Sequence, residues 1–214
     1  MNKHFIYLHG FASSPQSTKA IYLRDRFAEL QIPLYIPDLN QGDFSHFTIT
    51  RSLNQVANLF PPPPTPVTLI GSSLGGLIAA RISQNYHQVK QLVLLAPAFG
   101  FLDHWLPKLG TEKLNLWQAE KYLMVYHYGE KAWLRLDYNF VLDAANYQQK
   151  LSRPIPTLIL HGRHDETIPI SASREYAQRP NVQLIELESN HALSDVLPEI
   201  WDIIQVFLIL GARG

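Results

Sequence analysis

The chain has 214 residues and no cysteine, a length that favours one domain with room for a single insertion. Its 18 basic and 18 acidic residues give a formal net charge of zero. A neutral chain has no basic field that would attract nucleic acid or an anionic membrane, which argues against both as partners. The lack of cysteine excludes disulfides, thiolate metal sites and a cysteine nucleophile, and no apolar run approaches the roughly 20 residues that span a bilayer. We therefore expect a cytoplasmic protein without a cleaved leader.

Short β-branched and aliphatic runs alternate with amphipathic helical patterns along the chain. Most of these runs are continuously apolar, as expected of parallel strands covered by helices on both faces. The sequence therefore predicts an α/β fold with a mainly parallel sheet of about six strands. The predicted strands are Phe5–Leu8, Leu34–Ile36, Val67–Ile70, Leu92–Leu95, Thr157–Leu160 and Val182–Leu187. The predicted helices are Ser17–Gln31, Ile49–Phe60, Leu74–Tyr86 and Leu197–Leu210, the last with Gly211 as its stop signal.

Prolines dominate the segment that precedes the third predicted strand. Five of the six residues from Pro61 to Pro66 are proline, and none of those nitrogens can donate a hydrogen bond. The pattern predicts a stiff polyproline II connector into Val67. A PxxP ligand for a signalling domain is the alternative, and the strand that begins directly afterwards favours the connector.

The third predicted strand runs into Gly71-Ser72-Ser73-Leu74-Gly75-Gly76 and then into a helix. This is the G-x-S-x-G pattern of a nucleophile elbow in its strand, turn and helix setting, with Ser73 as the nucleophile. A sharp turn with a strained central residue exposes the serine oxygen, and the flanking glycines leave room for the neighbouring strand and helix. We prefer Ser73 to Ser72 because only Ser73 is centred between the two glycines. The alternative is a Gly/Ser turn that feeds a phosphate-binding helix N-terminus.

Residues 100–150 interrupt the alternation and hold ten of the 24 aromatic residues. Within them, the runs Tyr122–Tyr128 and Lys131–Tyr138 flank Gly129-Glu130, which predicts a hairpin with a two-residue turn. We interpret the segment as a cap inserted into a single domain that spans residues 1–214, where it covers the site and forms the substrate pocket. The alternatives are that its rings only form the core of a small subdomain, or a face for a homodimer.

A serine hydroxyl is a poor nucleophile near neutral pH, so it needs a base, and the base needs an acid that orients it. Asp165 follows the fifth predicted strand and His191 follows the sixth. His161 and His164 precede Asp165 closely, at a spacing that also allows a metal site. Cysteine is absent, however, and the nearby carboxylates are already explained as the acid that orients His191.

The whole chain resembles the α/β-hydrolase superfamily, which has the same chain order of Ser73, Asp165 and His191. The stretch Gly162–Pro169 is similar to the superfamily's acid motif G-x-x-D-x-x-x-P, in which Asp165 rather than Glu166 fills the acid position. The opening, YLHGFASSPQSTKA from Tyr7, resembles more narrowly the small YqiA-type esterases. Because the chain starts at the strand before the oxyanion loop, we expect a reduced sheet without the antiparallel strands of larger α/β-hydrolases.

The resemblance implies a serine hydrolase that acts on small-molecule carboxylic esters and needs no cofactor or metal. It assigns Ser73 as nucleophile, His191 as base and Asp165 as the acid, and it places the backbone N–H groups of Phe11 and Leu74 in the oxyanion hole. The same triad serves thioesterases, peptidases and acyltransferases, and the fold can also serve a non-catalytic ligand-binding protein. These alternatives stay open from the sequence.

Overall fold

The computed structural model describes residues 3–148 and 151–210. Within these residues, six strands form one parallel sheet. They are β1 (His4–Leu8), β2 (Leu34–Tyr35), β3 (Val67–Ser72), β4 (Val89–Leu95), β7 (Thr157–Gly162) and β8 (Val182–Leu187), and they stand in the order β2, β1, β3, β4, β7, β8. Two more strands, β5 (Tyr122–His127) and β6 (Ala132–Asp137), form an antiparallel hairpin. The predicted α/β class with a six-stranded parallel sheet is confirmed.

Helices lie between the strands, and four of them correspond to the predicted ones. The helices of the described residues are α1 (Thr18–Glu29), α2 (Ile49–Asn58), α3 (Leu74–Asn85), α4 (Phe101–Leu109), α5 (Thr111–Glu120), α6 (Asn139–Ala145), α7 (Ile170–Tyr176) and α8 (Leu197–Leu210), with a short 3-10 helix at Phe44–His46. None of these helices is long and apolar enough to cross a bilayer. The predicted stop signal Gly211 lies outside the described residues.

The strands are continuously apolar because helices cover the sheet on both faces. In β1, Ile6 and Leu8 pack into one core cluster together with side chains of α2 and α3. Phe5 and Tyr7 point the opposite way and pack into a second cluster with side chains of α1 and α8. Burial on both faces therefore removes the polar alternation that a half-exposed strand would show.

The connections leave the middle of the sheet in two directions. From β1 the chain crosses through α1 to β2 at one edge, whereas from β3 it crosses through α3 to β4 on the other side. The loops after β1 and β3 therefore diverge, and such a switch point forms a crevice at the carboxyl ends of the strands. The register pairs Leu8 with Gly71, so the loop that starts at His9 and the turn at Ser73 lie side by side at this crevice.

The proline-rich segment is a turn, and the predicted polyproline II rod is wrong. The Thr65 amide donates to the Pro62 carbonyl, and the Pro63–Pro64 peptide bond is cis. Gln88 donates its side-chain amide to carbonyls at both ends of the turn. A crossover helix runs against the direction of the parallel strands, so the chain must reverse between α2 and β3, which a straight rod cannot do.

The segment between β4 and β7 contains α4, α5, the hairpin β5–β6 and α6. The two strands of the predicted hairpin are confirmed, but the predicted two-residue turn is wrong. Four residues, Tyr128–Lys131, connect the last strand pair, and the Glu130 amide closes this wider loop by donating to His127 Nδ1 at 3.0 Å. Residues 149 and 150, at the end of the predicted cap, lie outside the described residues.

Gly129 is required in the hairpin loop for close packing rather than for a special backbone angle. A Cβ at this position would lie 2.7 Å from the Cβ of Ser14, in the loop that follows β1. The adjacent residue adds a backbone hydrogen bond, in which the Tyr128 amide donates to the Ala12 carbonyl at 2.8 Å. The hairpin is therefore joined to the loop that leaves β1 at the crevice.

Candidate active site

Ser73 stands at the turn between β3 and α3, with φ 54° and ψ −120°. A positive φ is unfavourable for a residue with a Cβ, so this backbone persists only because its surroundings fix it. The Ser73 amide donates to the Leu95 carbonyl at 2.9 Å, and the Ala98 amide donates to the Ser73 carbonyl at 3.0 Å. The end of β4 thus holds the strained turn on both sides.

The two glycines of the G-x-S-x-G pattern are there because backbone passes very close to them. A Cβ on Gly71 would lie 2.4 Å from the Gly75 carbonyl oxygen, and a Cβ on Gly75 would lie 2.2 Å from the Leu8 carbonyl oxygen. Real Cβ atoms do not come this close to backbone atoms. The elbow therefore packs directly against the end of β1, as the sequence pattern predicts.

The structure brings Ser73, His191 and Asp165 together in one chain of hydrogen bonds. His191 Nε2 lies 3.0 Å from Ser73 Oγ, and His191 Nδ1 lies 2.6 Å from Asp165 Oδ2. An ionised carboxylate can only accept, so Nδ1 carries the proton and the Nε2 lone pair faces the serine hydroxyl. The His191 side chain is 24% exposed and that of Asp165 is fully buried, so water or a substrate reaches the serine side of the chain only.

The acid and base loops lie together because β7 and β8 are neighbours in register. Gly162, the last residue of β7, is opposite Leu187, the last residue of β8. A Cβ on Gly162 would lie 2.4 Å from the Ser189 carbonyl oxygen, and the His164 amide donates to that same carbonyl at 3.0 Å. This close backbone packing fixes the distance between the loops that carry Asp165 and His191.

The carboxylate of Asp165 has a full set of donors. Its Oδ1 accepts from the amides of Thr167 and Ile168, both at 2.8 Å, and its Oδ2 lies 3.0 Å from His161 Nε2 as well as close to His191. Burial by itself would raise the pKa of this carboxyl. The hydrogen bonds from both histidines and from the backbone outweigh burial and hold the pKa of Asp165 well below its usual range, so the group is a carboxylate at neutral pH.

The sequence reasoning considered His161 only as a possible metal ligand and missed its hydrogen bond to the carboxylate of Asp165. His161 is fully buried, its Nδ1 lies 2.8 Å from Ser173 Oγ, and its Nε2 also lies 3.1 Å from the Ile168 carbonyl oxygen. Because both partners of Nε2 can only accept, that nitrogen carries the proton and Nδ1 accepts from the serine hydroxyl. The available signal was its position in β7, four residues before Asp165, whereas His164 is exposed and contacts Glu188.

The two neighbouring residues that could have replaced the preferred ones point elsewhere. Ser72 is the last residue of β3 and is only 4% exposed, whereas Ser73 is partly exposed. Glu166 is exposed and makes no hydrogen bond to His191 within the described part of the chain. In this structure the hydrogen-bonded chain uses the residues that the motifs favour.

The loop after β1 lies against the serine, and its peptides are held by His9. A Cβ on Gly10 would lie 3.3 Å from the Ser73 Cβ. His9 is buried, its Nδ1 lies 2.9 Å from the Gly10 carbonyl oxygen, and its Nε2 accepts from the Leu39 amide at 2.9 Å. The Gly10 carbonyl and the Phe11 amide belong to one peptide, so this bond also fixes the direction of the Phe11 N–H.

The amides of Phe11 and Leu74 donate to no protein group among the described residues. Leu74 follows Ser73 directly and is the first residue of α3, where backbone N–H groups have no partner within the helix. Phe11 follows Gly10, where an added Cβ would lie 3.3 Å from the Ser73 Cβ. The placement of these two amides in an oxyanion hole stays a prediction.

We expect replacement of Ser73 by glycine to raise the free energy of unfolding by about 1 kcal/mol, because a strained φ typically costs ~1–3 kcal/mol and the greater freedom of unfolded glycine offsets part of the gain. Urea unfolding of wild type, Ser73→Gly and Ser73→Ala measures this, since alanine keeps the Cβ and the strain. Equal midpoints for the two variants would contradict strain at this position.

Comparisons with known proteins place the fold. Residues 4–208 match the family described as Uncharacterised protein family (UPF0227), while no curated protein matches the chain in sequence. Among solved structures, a protein from Agrobacterium vitis S4 is 25% identical, with a TM-score of 0.83 over 96% of this chain and 88% of that one. Mouse alpha/beta hydrolase domain-containing protein 10 is 21% identical (TM-score 0.75, 96% and 90% covered). Est1E from Butyrivibrio proteoclasticus with bound ferulic acid is 19% identical (TM-score 0.77, 99% and 90% covered). The chain thus has the α/β-hydrolase fold.

Proposed function

The chain belongs to the UPF0227 family, and from the geometry of its crevice we propose that it is a serine hydrolase that cleaves carboxylic esters through an acyl-enzyme intermediate. The observation that carries the proposal is the continuous hydrogen-bonded chain from Ser73 through His191 to Asp165. It lies on a strained elbow, near two backbone amides that have no protein acceptor among the residues the structure describes. Each feature alone has a structural explanation, but together they supply a nucleophile, a base, an orienting acid and donors for an oxyanion.

In the proposed reaction, Ser73 Oγ attacks the ester carbonyl carbon while His191 Nε2 takes the hydroxyl proton. The carbonyl oxygen becomes an oxyanion, which the amides of Phe11 and Leu74 stabilise, and such a donor typically contributes about 2.7–4 kcal/mol to the transition state. His191 then passes the proton to the leaving alcohol oxygen as the C–O bond breaks, which leaves an acyl-serine. A water molecule repeats the sequence and releases the acid.

Asp165 has two functions in this sequence. Its buried carboxylate fixes the Nδ1–H tautomer of His191 and stabilises the imidazolium that forms when Nε2 takes the proton. The His161 imidazole and the two backbone amides hold the Asp165 carboxylate in one orientation, so that its Oδ2 stays directed at His191. His161 is accordingly a positioning residue rather than a catalytic one.

We also propose that the segment from α4 to α6 is a cap that shapes an apolar pocket in this single domain. The Phe11 ring packs against the rings of Phe101, Trp105 and Phe140 of that segment, with centroids 5.2 to 5.6 Å apart. The hairpin is bonded to the same loop through Tyr128 and Ala12. An apolar surround at the oxyanion loop fits an uncharged acyl or alcohol group better than a charged one.

The fold neighbour from Butyrivibrio proteoclasticus binds ferulic acid, a carboxylic acid that hydrolysis of an oxygen ester and of a thioester would both release. Preference for oxygen esters is therefore tested directly. The deciding experiment for this chain is labelling with a fluorophosphonate, followed by peptide mapping, on wild type, Ser73→Ala and Ser72→Ala. We expect an adduct on Ser73 in the wild type, no adduct in Ser73→Ala, and an undiminished adduct in the Ser72→Ala control.

Ester hydrolysis is then measured on 4-nitrophenyl acetate and butyrate beside the matching thioesters. Turnover of the oxygen esters that disappears in Ser73→Ala supports the proposed class. Faster turnover of thioesters, or capture of the acyl group by added alcohols, would make the protein a thioesterase or an acyltransferase. Absence of an adduct on folded wild type would contradict an activated serine and favour a ligand-binding protein.

A further inference from the structure

Lys19 connects the start of α1 to the loop that carries His191. It is the second residue of that helix, and its Nζ donates to the Ala192 carbonyl oxygen at 2.5 Å, across 173 positions of sequence. Ala192 is the residue directly after His191. The loop after β1 leads into α1, so the bond also joins the base loop to the side of the crevice that holds the Phe11 amide.

The base loop depends on a small number of bonds for its shape. The Ala192 amide donates to Asn190 Oδ1 at 2.9 Å, which makes a local turn, and Ser189 donates to Asp195 further along the loop. Toward β7, the loop is held through the Ser189 carbonyl. Lys19 supplies a side-chain bond from the start of α1, so removing it leaves the local turn intact while freeing the peptide between Ala192 and Leu193, the second peptide after His191.

The ammonium of Lys19 is a charged donor at the edge of the protein interior. Lys19 is partly buried, and burial lowers the pKa of its ammonium to about 8 while the negative charge of Asp165 opposes that shift. A charged donor makes a stronger hydrogen bond to a carbonyl than a neutral one does, so the ammonium holds the Ala192 carbonyl more firmly than a neutral side chain would.

We propose that Lys19 is a positioning residue for the reaction: its ammonium, bonded to the Ala192 carbonyl, holds His191 at the distance and angle at which Nε2 accepts the Ser73 proton. This inference rests on the proposed function, since it assigns Lys19 a role through His191. Lys19 does not touch the reacting atoms. Its loss therefore acts on the rate of proton transfer and acylation, and leaves the binding of the ester group largely unaffected.

The test compares Lys19→Arg, Lys19→Gln and Lys19→Met with wild type and with Lys90→Met. Lys90 is an exposed lysine near the amino end of β4, at the opposite end of the strands from the crevice, so it controls for the loss of one positive charge. For each protein, the second-order rate of fluorophosphonate labelling, kcat and KM for 4-nitrophenyl acetate, and the urea unfolding midpoint are measured.

We expect Lys19→Met to label and turn over about 10- to 100-fold more slowly, the usual loss when a catalytic group is displaced by about 1 Å. KM should stay within about twofold of wild type, since the ester contacts are unchanged. Lys19→Arg, which keeps a charged donor, should recover most of the rate, and the neutral donor in Lys19→Gln should fall between the two. Lys90→Met should match wild type.

A labelled wild type with equally fast Lys19→Met overturns the inference and leaves the proposed function standing. The inference is also overturned if all three Lys19 variants lose labelling rate in proportion to the fall in their unfolding midpoints and arginine does not restore the rate. That pattern means that Lys19 has a structural role alone. An unlabelled wild type overturns the proposed function, and the inference with it. If Lys19→Met does not fold, the ranking of Lys19→Gln below Lys19→Arg decides the question in the same way.

Discussion

Replacing Asp165 by asparagine should lower kcat for ester hydrolysis by about 10³- to 10⁴-fold, which is the usual cost when the base is held in the wrong tautomer. Oδ1 of Asp165 accepts from the Thr167 and Ile168 amides, which cannot change their protonation. The new NH₂ group must therefore occupy the Oδ2 position. There it faces His191 Nδ1, which has to accept, so the imidazole proton moves to Nε2 and the base can no longer take the Ser73 proton.

The matched control is Glu166→Gln, the same chemical change at the adjacent and exposed position. Steady-state kinetics with 4-nitrophenyl acetate and urea unfolding should show the large loss of kcat for Asp165→Asn only, with KM near the wild-type value. If Asp165→Asn keeps more than a tenth of the wild-type kcat, or if Glu166→Gln loses as much, the assignment of Asp165 as the acid is wrong.

Replacing Gly75 by alanine should lower the free energy of unfolding by about 3 kcal/mol or more, at the upper end of what overpacking costs. The added Cβ would lie 2.2 Å from the Leu8 carbonyl oxygen and 2.5 Å from that of His9. The Leu8 carbonyl is at the end of β1 and that of His9 follows directly, so Leu8 cannot move away without disturbing the pairing of β1 with β3. We expect aggregation or a strongly reduced urea midpoint.

Gly42→Ala is the control for this variant. Gly42 has φ +70°, and no atom lies within 4 Å of the position that an added methyl group would take, so the change adds backbone strain without a clash. Gly42→Ala should lower the free energy of unfolding by only ~1 kcal/mol, the ordinary cost of a residue with a Cβ in the left-handed region. Similar losses for the two variants would show that the elbow and β1 can separate, and would weaken the steric explanation of the G-x-S-x-G pattern.

Local sequence patterns were sufficient to predict the strands and the elbow because each of these elements has a characteristic pattern of consecutive residues. A continuously apolar run such as Val67–Ile70 predicts a strand buried on both faces, and glycines two positions either side of Ser73 predict a turn that only small residues allow. By contrast, α4, α5 and α6 were not predicted. Their aromatic residues make ring contacts with Phe11 or, for Trp117 of α5, with Trp105, rather than forming one regular helical stripe.

The sequence by itself determined the α/β class, the order of the strands along the chain and the three residues whose motifs follow strand ends. Only the tertiary structure decided how these ends meet. The bond from His191 to Ser73 joins residues 118 positions apart, and the bond from Lys19 to Ala192 spans 173 positions. Likewise, position 129 requires glycine because Ser14, in another loop, leaves no room for a Cβ there. Contacts of this kind depend on how distant segments pack together, and the periodicity of residues along the chain does not predict that packing.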